Sequence, residues 1–249
     1  MGINKIFSFA FCAEYDRKIS SLANLCPEKW SFGAHSDNII LKNYIDYTFQ
    51  KLCEDKSVLE KDQYAVFNTG LFTSFYEPIY AYFTNNKIPN RQKWFLEGFN
   101  TKYQLCTLGV DQFPPRANYF TNPGALVFDT NCEIIPQYQH IFNDPENYSR
   151  IPESVRESTN KSAFFDGAIA KSKCMIDANY KTAVPQYYKG RIQLLIPLCL
   201  VNVNVPDLAL VVSKNEAGTQ YLGHTCLTLE MAYNNARLIA KPNSDWLRP

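Results

Sequence analysis

Two apolar runs of strand length, residues 193–200 and 208–212, stand on either side of a polar turn at 202–206. Each run is too short for a helix of ordinary length, and a short polar turn between them predicts paired, buried strands. Pro197 interrupts the first run, and proline removes a ladder donor, so a bulge or an edge position is expected there. The pair lies inside residues 178–241, around which the rest of the chain is organised. That region opens on a tyrosine-rich segment and closes on a helix-like run at 227–239, rich in amide and basic side chains.

The N-terminal half alternates between two periods. Residues 16–25 read as a short helix that stops before Pro27. Residues 37–56 read as an amphipathic helix, with Leu41, Tyr44, Ile45, Thr48, Phe49 and Leu52 at three- and four-residue spacing and Asp37 as N-cap. Strands follow at 64–68, 78–83 and 94–99, with Thr69-Gly70 as turn chemistry, which predicts an antiparallel meander. Residues 125–129 read as a further short strand, 140–152 as irregular, 163–179 as a long helix and 221–226 as a segment leading into the last helix. The expected fold is α+β, a mainly antiparallel sheet flanked by three or four helices, in one globular domain over 1–249.

Composition excludes several classes. With 25 basic and 24 acidic residues the net charge is +1, so no global basic footprint for nucleic acid exists, although a local patch is open. Eight scattered cysteines lack the spacing of a zinc or redox motif and read as reduced, partly buried thiols of a cytoplasmic protein. No apolar run is long enough to span a bilayer, so no membrane partner is expected. No glycine-rich phosphate loop and no Gly-x-Ser-x-Gly is present, and no metal or other cofactor is expected.

Several stretches, in order, resemble one family. They are Phe67-Asn68-Thr69-Gly70-Leu71, Glu77-Pro78-Ile79-Tyr80-Ala81 and Arg116-Ala117-Asn118-Tyr119-Phe120, then the segments 179–188, 192–198 and 232–239. Together they are similar to the domain of unknown function 3825 family, whose bacterial and fungal members are sometimes joined to OST-HTH (LOTUS) or cold-shock modules. This chain shows neither module. The resemblance implies an association with RNA and supplies no catalytic residues.

The matching segments hold the candidate chemistry. Lys181, Gln186 and Tyr187 stand in an interleaved run of aromatic and basic residues, with Gln193 in the next matching segment. Rings stack on bases, cations meet phosphates and an amide reads a base edge. The same run also reads as a tyrosine-rich strand entry with solvated lysines. Tyr233, Asn234, Asn235 and Arg237 fall within about one helical turn, where adjacent asparagines are poor helix formers and hint at a site; the alternative is a pair of buried amides capping sheet edges. Arg116 and Asn118 form a similar set on a loop. Among the three histidines, His35, His140 and His224, His140 has Asp144 four residues on and is the candidate acid/base. A two-histidine site requires His140 and His224 to meet in the fold.

Two functions follow from this reading, with a third in reserve. The first is an RNA- or nucleotide-binding protein of RNA metabolism or of stress or phage response, with the ligand held by Arg116, Asn118, Gln186, Tyr187, Gln193, Tyr233, Asn234, Asn235 and Arg237. The second is a metal-independent hydrolase or transferase on RNA ends or nucleotides, using His140 and Lys181. The third is a scaffold whose polar motifs only close the sheet.

Overall fold

A computed structural model describes residues 5–249, which divide into two compact units, the first ending at Asn118 and the second Tyr119–Pro249. The first unit runs α1 (Lys5–Phe9), β1 (Ala10–Phe11), α2 (Tyr15–Leu25), α3 (Ile39–Glu54), β2 (Leu59–Glu60), β3 (Tyr64–Phe72), β4 (Pro78–Asn85), β5 (Trp94–Thr101) and α4 (Lys102–Thr107). Its sheet has the order β1-β5-β4-β3-β2, antiparallel except for the parallel β1–β5 pair. The expected meander is β3-β4-β5.

The predicted stripe of α3 is its buried face: Leu41, Tyr44, Ile45, Thr48, Phe49 and Leu52 are all buried. Phe49 packs against Phe67, and Phe67 against Phe83, at ring separations of 5.2 and 5.8 Å. Asp37 is not the N-cap. Asn38 occupies that position in a left-handed conformation, and the Asp37 carboxylate accepts the Ile39 N–H at 3.2 Å. Thr69-Gly70 is not a chain reversal either. β3 continues through it to Phe72, with a register shift between Asn68 and Phe72 and Gly70 at φ 74°. Glycine supplies that conformation, so the residue bends the strand instead of ending it. The Tyr44 hydroxyl donates to the Thr69 carbonyl at 2.8 Å beside this bend.

The second unit runs β6 (Glu133–Pro136), α5 (Tyr138–Asn143), α6 (Pro145–Arg150), α7 (Glu153–Arg156), α8 (Lys161–Ala178), β7 (Val184–Tyr188), β8 (Arg191–Leu198), β9 (Leu208–Lys214), β10 (Gln220–Leu227) and α9 (Leu229–Arg237). The sheet order is β6-β10-β9-β8-β7, antiparallel except for β6 beside β10. The α+β reading holds, with the mainly antiparallel strands shared between two sheets.

Residues 125–129 form no strand. A short 3-10 turn, Pro123–Leu126, stands there, and the strand of this region is β6. Residues 140–152 are mostly helical, not irregular, covered by the end of α5 and by α6: Asp144 caps α6 by accepting the Asn147 N–H at 2.9 Å, and Pro145 takes the first helical position. β8 keeps its register through Pro197, but the β7 ladder ends at Leu195, so Pro197 sits where β8 has a single neighbour. One face of this sheet buries Ile196, Leu198, Leu210 and Val212 with Phe165 and Ile141 of the helices. A fully buried side chain of this kind contributes about 1.5–3 kcal/mol. Among the described residues, no disulfide joins the eight cysteines, and burial pushes the Cys226 thiol up to about 12.

Candidate functional site

The sheet of the second unit positions three groups of polar side chains. The first lies between α9 and the edge of the sheet. Gln186 and Gln193 face each other across β7 and β8, and the Gln186 Nε2 donates to the Gln193 Oε1 at 3.1 Å. The Asn235 Nδ2 donates to the Gln186 Oε1 at 3.0 Å. Gln186 is 1% exposed, and both ends of its amide are engaged by the protein. It is therefore not placed to read a base edge: a donor and acceptor already paired in a dry interface are not open to a ligand. The adjacent asparagines of α9 have a tertiary explanation, because one of them ties the helix to β7.

The expected donor face of α9 is likewise turned inward. Tyr233 is 3% and Arg237 6% exposed, so phenol and guanidinium belong to the packing of the helix. Asn234 keeps a buried Oδ1 with no hydrogen-bond partner. Tyr187 is half-buried, edge-on to Tyr119 at 4.8 Å. Arg116 and Asn118 lie exposed at the end of the first unit.

The second group borders a cleft of about 220 Å³. Its walls are apolar: Val127, Val184, Pro185, Ala236 and Ile239 contribute, and Tyr180, Lys181 and Lys241 stand on it. Tyr180 is 61% exposed, and both lysines are exposed. The Asn179 side chain accepts the Lys181 N–H at 3.1 Å, which fixes the short 3-10 turn carrying Tyr180 and Lys181.

The third group surrounds His140. Past Gly223 the ladder between β6 and β10 ends, and α5 and α6 lie along the edge of β10 instead. The Gly223 carbonyl accepts from the Gln137 N–H, and the Cys226 carbonyl from the Arg150 guanidinium, both at 2.8 Å. β10 bulges between Gly223 and Thr225, which leaves His224 as the extra residue. Its Nε2 is 2.6 Å from the Ser213 Oγ. His140 Nε2 is 3.1 Å from the Asn147 Nδ2, and the Asn147 Oδ1 accepts from Thr225 and from Arg150. Burial, and then the charge of nearby His140, hold His224 below its ordinary pKa. His140 is thus linked through Asn147 to Thr225, the residue that follows His224. Lys181 is not part of this group: it precedes β7 at one edge of the sheet, and His140 follows β6 at the other.

Residues 22–246 match the family described as Domain of unknown function (DUF3825). The chain belongs to that family. The match covers most of both units of this DUF3825 protein. No curated protein and no solved structure matches the chain. Within the DUF3825 region, sequence reasoning missed Ser213 and Lys241. Ser213 ends an apolar run and Lys241 follows a helix, and neither position carries a local signal.

Among the described residues, no helix is long and apolar enough to cross a membrane, and no group of three or more His, Cys, Asp or Glu gathers as metal ligands would.

Proposed function

We propose that this protein binds a nucleotide, or the terminal nucleotide of an RNA, in the cleft beside Tyr180 and Lys181. The observation that carries the reading is the pairing of a ring-sized apolar hollow with two exposed ammonium groups, Lys181 and Lys241. An apolar wall with few placed polar groups is the general form of a small-ligand site. At about 220 Å³ the hollow is smaller than the ~300–1,000 Å³ of larger ligand sites, which suits one heterocyclic base with its phosphate outside. Tyr180 offers a ring face for stacking, and the lysines offer charge to the phosphate.

Titration calorimetry with AMP, ADP and adenosine tests this. Phosphate should tighten binding, added salt should weaken it, and Lys181→Glu with Lys241→Glu should abolish the gain from phosphate. Equal affinity for adenosine and AMP, or no binding of any of the three, would sink the proposal.

A second reading, a metal-independent RNA phosphodiesterase, is favoured by the link from His140 through Asn147 to Thr225, next to His224. In that chemistry one neutral imidazole takes the proton of a ribose 2′-hydroxyl, whose oxygen attacks the adjacent phosphorus. The other, protonated, gives its proton to the departing 5′-oxygen, leaving a 2′,3′-cyclic phosphate and a 5′-hydroxyl. Labelled RNA incubated with the protein and a chelator checks it. Cleavage that survives both His140→Ala and His224→Ala rules the pair out.

A further inference from the structure

The first unit carries an open sheet face that no part of this reading uses. One face of its sheet packs under α3. The opposite face is set by register: Phe11, Phe95, Thr84 and Tyr64 are successive partners across β1, β5, β4 and β3. They form one row, with neighbouring strands about 4.8 Å apart. Tyr82 is on the same face, with its ring 6.3 Å from that of Tyr64, and the Phe11 and Phe95 rings are 6.1 Å apart. The far end of the face is closed by Leu105 and Val110, which cluster with Val66 and Tyr80, and Tyr64, Tyr82 and Phe113 pack partly buried against that cluster. The row itself stays half-exposed. Two open hollows of about 480 and 580 Å³ adjoin there, sharing Thr84 and Glu97.

We infer that this face is a stacking platform for single-stranded RNA, independent of the cleft in the second unit. Half-exposed rings on adjacent strands of an open antiparallel sheet present flat apolar surfaces to unstacked bases. The charges are arranged to match. Glu97 stands amid the face, and its carboxylate accepts from the Thr84 hydroxyl at 2.6 Å. A carboxylate repels phosphate but accepts hydrogen bonds from base amino groups, so it favours bases inward. The outer rings of the row carry cations over them: the Arg91 guanidinium lies over the Phe11 ring at 5.2 Å, and the Lys18 Nζ lies over the Phe95 ring at 4.6 Å while donating to the Ala13 and Leu96 carbonyls, so Tyr64 and Tyr82 are the rings offered to bases. Lys87 borders one hollow and is exposed. This is the polarity of a strand with bases on the sheet and its backbone outside. The Gln63 and Asn100 amides, one beside each hollow, supply the donors and acceptors that a ribose 2′-hydroxyl needs. A duplex hides its base faces and would gain none of the stacking.

Fluorescence anisotropy of a short labelled single-stranded RNA with the full chain tests the inference. Tyr64→Leu and Tyr82→Leu should each weaken binding on the order of tenfold. Lys87→Glu, at an exposed loop position, should weaken it further and reduce the salt dependence by about 0.7 in log–log slope. That variant keeps the test alive if a tyrosine variant fails to fold. Lys181→Glu with Lys241→Glu should abolish the gain from phosphate in mononucleotide binding, whereas Tyr64→Leu and Tyr82→Leu should leave that gain unchanged, so the two sites fail separately. Three results would overturn the inference: no RNA binding by the folded protein, wild-type affinity in all three platform variants, or single-stranded DNA or duplex RNA bound as tightly as the single strand.

Discussion

The amide chain Asn235–Gln186–Gln193 distinguishes internal packing from a ligand site, and Gln186→Met is the perturbation that separates them. Methionine keeps the length of the side chain and deletes the amide. Two hydrogen bonds are lost, at 3.0 and 3.1 Å, each worth about 0.5–1.5 kcal/mol net. The Asn235 and Gln193 groups left behind are half-exposed, so water offsets part of their desolvation. A net loss of about 1–3 kcal/mol is expected, which lowers Tm by roughly 3–10 °C for a chain of this size. Thermal and urea unfolding measure it. The triple variant with Gln193→Leu and Asn235→Leu removes all three amides together. It should recover most of the loss, because no donor or acceptor is then stranded. A Gln186→Met protein with unchanged stability but lost ligand binding would refute the reasoning. So would a triple variant less stable than Gln186→Met alone.

Further perturbations test the surrounding fold. Gly70→Ala places a Cβ 2.8 Å from the Tyr44 hydroxyl at a residue with φ 74°, so strain and the loss of the Tyr44–Thr69 bond should together cost about 2–3 kcal/mol by chemical denaturation. Thr101 caps α4 in a capping box with Gln104, and Thr101→Ala should cost about 1 kcal/mol in the same assay. His224 has a folded pKa below its ordinary 6.5, so it binds fewer protons folded than unfolded. Its contribution is present above pH ~6.5 and lost as pH falls through the folded pKa. Melting curves across that window should flatten in His224→Gln, and a profile unchanged by the substitution would remove His224 as the cause.

Elements whose partners are near in sequence were legible, and those whose partners are distant were not. The stripe of α3 follows from period 3.6, and the β8–β9 pair from two apolar runs with a polar turn between them. Residues 138–150 also carried a local signal, because an Asp-Pro pair at 144–145 is cap chemistry, although short helices bury too little to show a stripe. The family motifs marked Gln186, Asn235 and Arg237 without saying which way they face. That choice depends on whether α9 lies over β7, a contact between segments some 49 residues apart. The link from His140 through Asn147 to Thr225 depends on where β6 stops along β10. The row Phe11, Phe95, Thr84 and Tyr64 exists only through strand register. Periodicity and turn chemistry are properties of the local chain, so the sequence alone determined the elements with a clear period, such as α3, β8 and β9, and their buried stripes. Pairing and register bring distant residues together, and the tertiary structure alone decided which polar groups are enclosed and which remain open to a ligand.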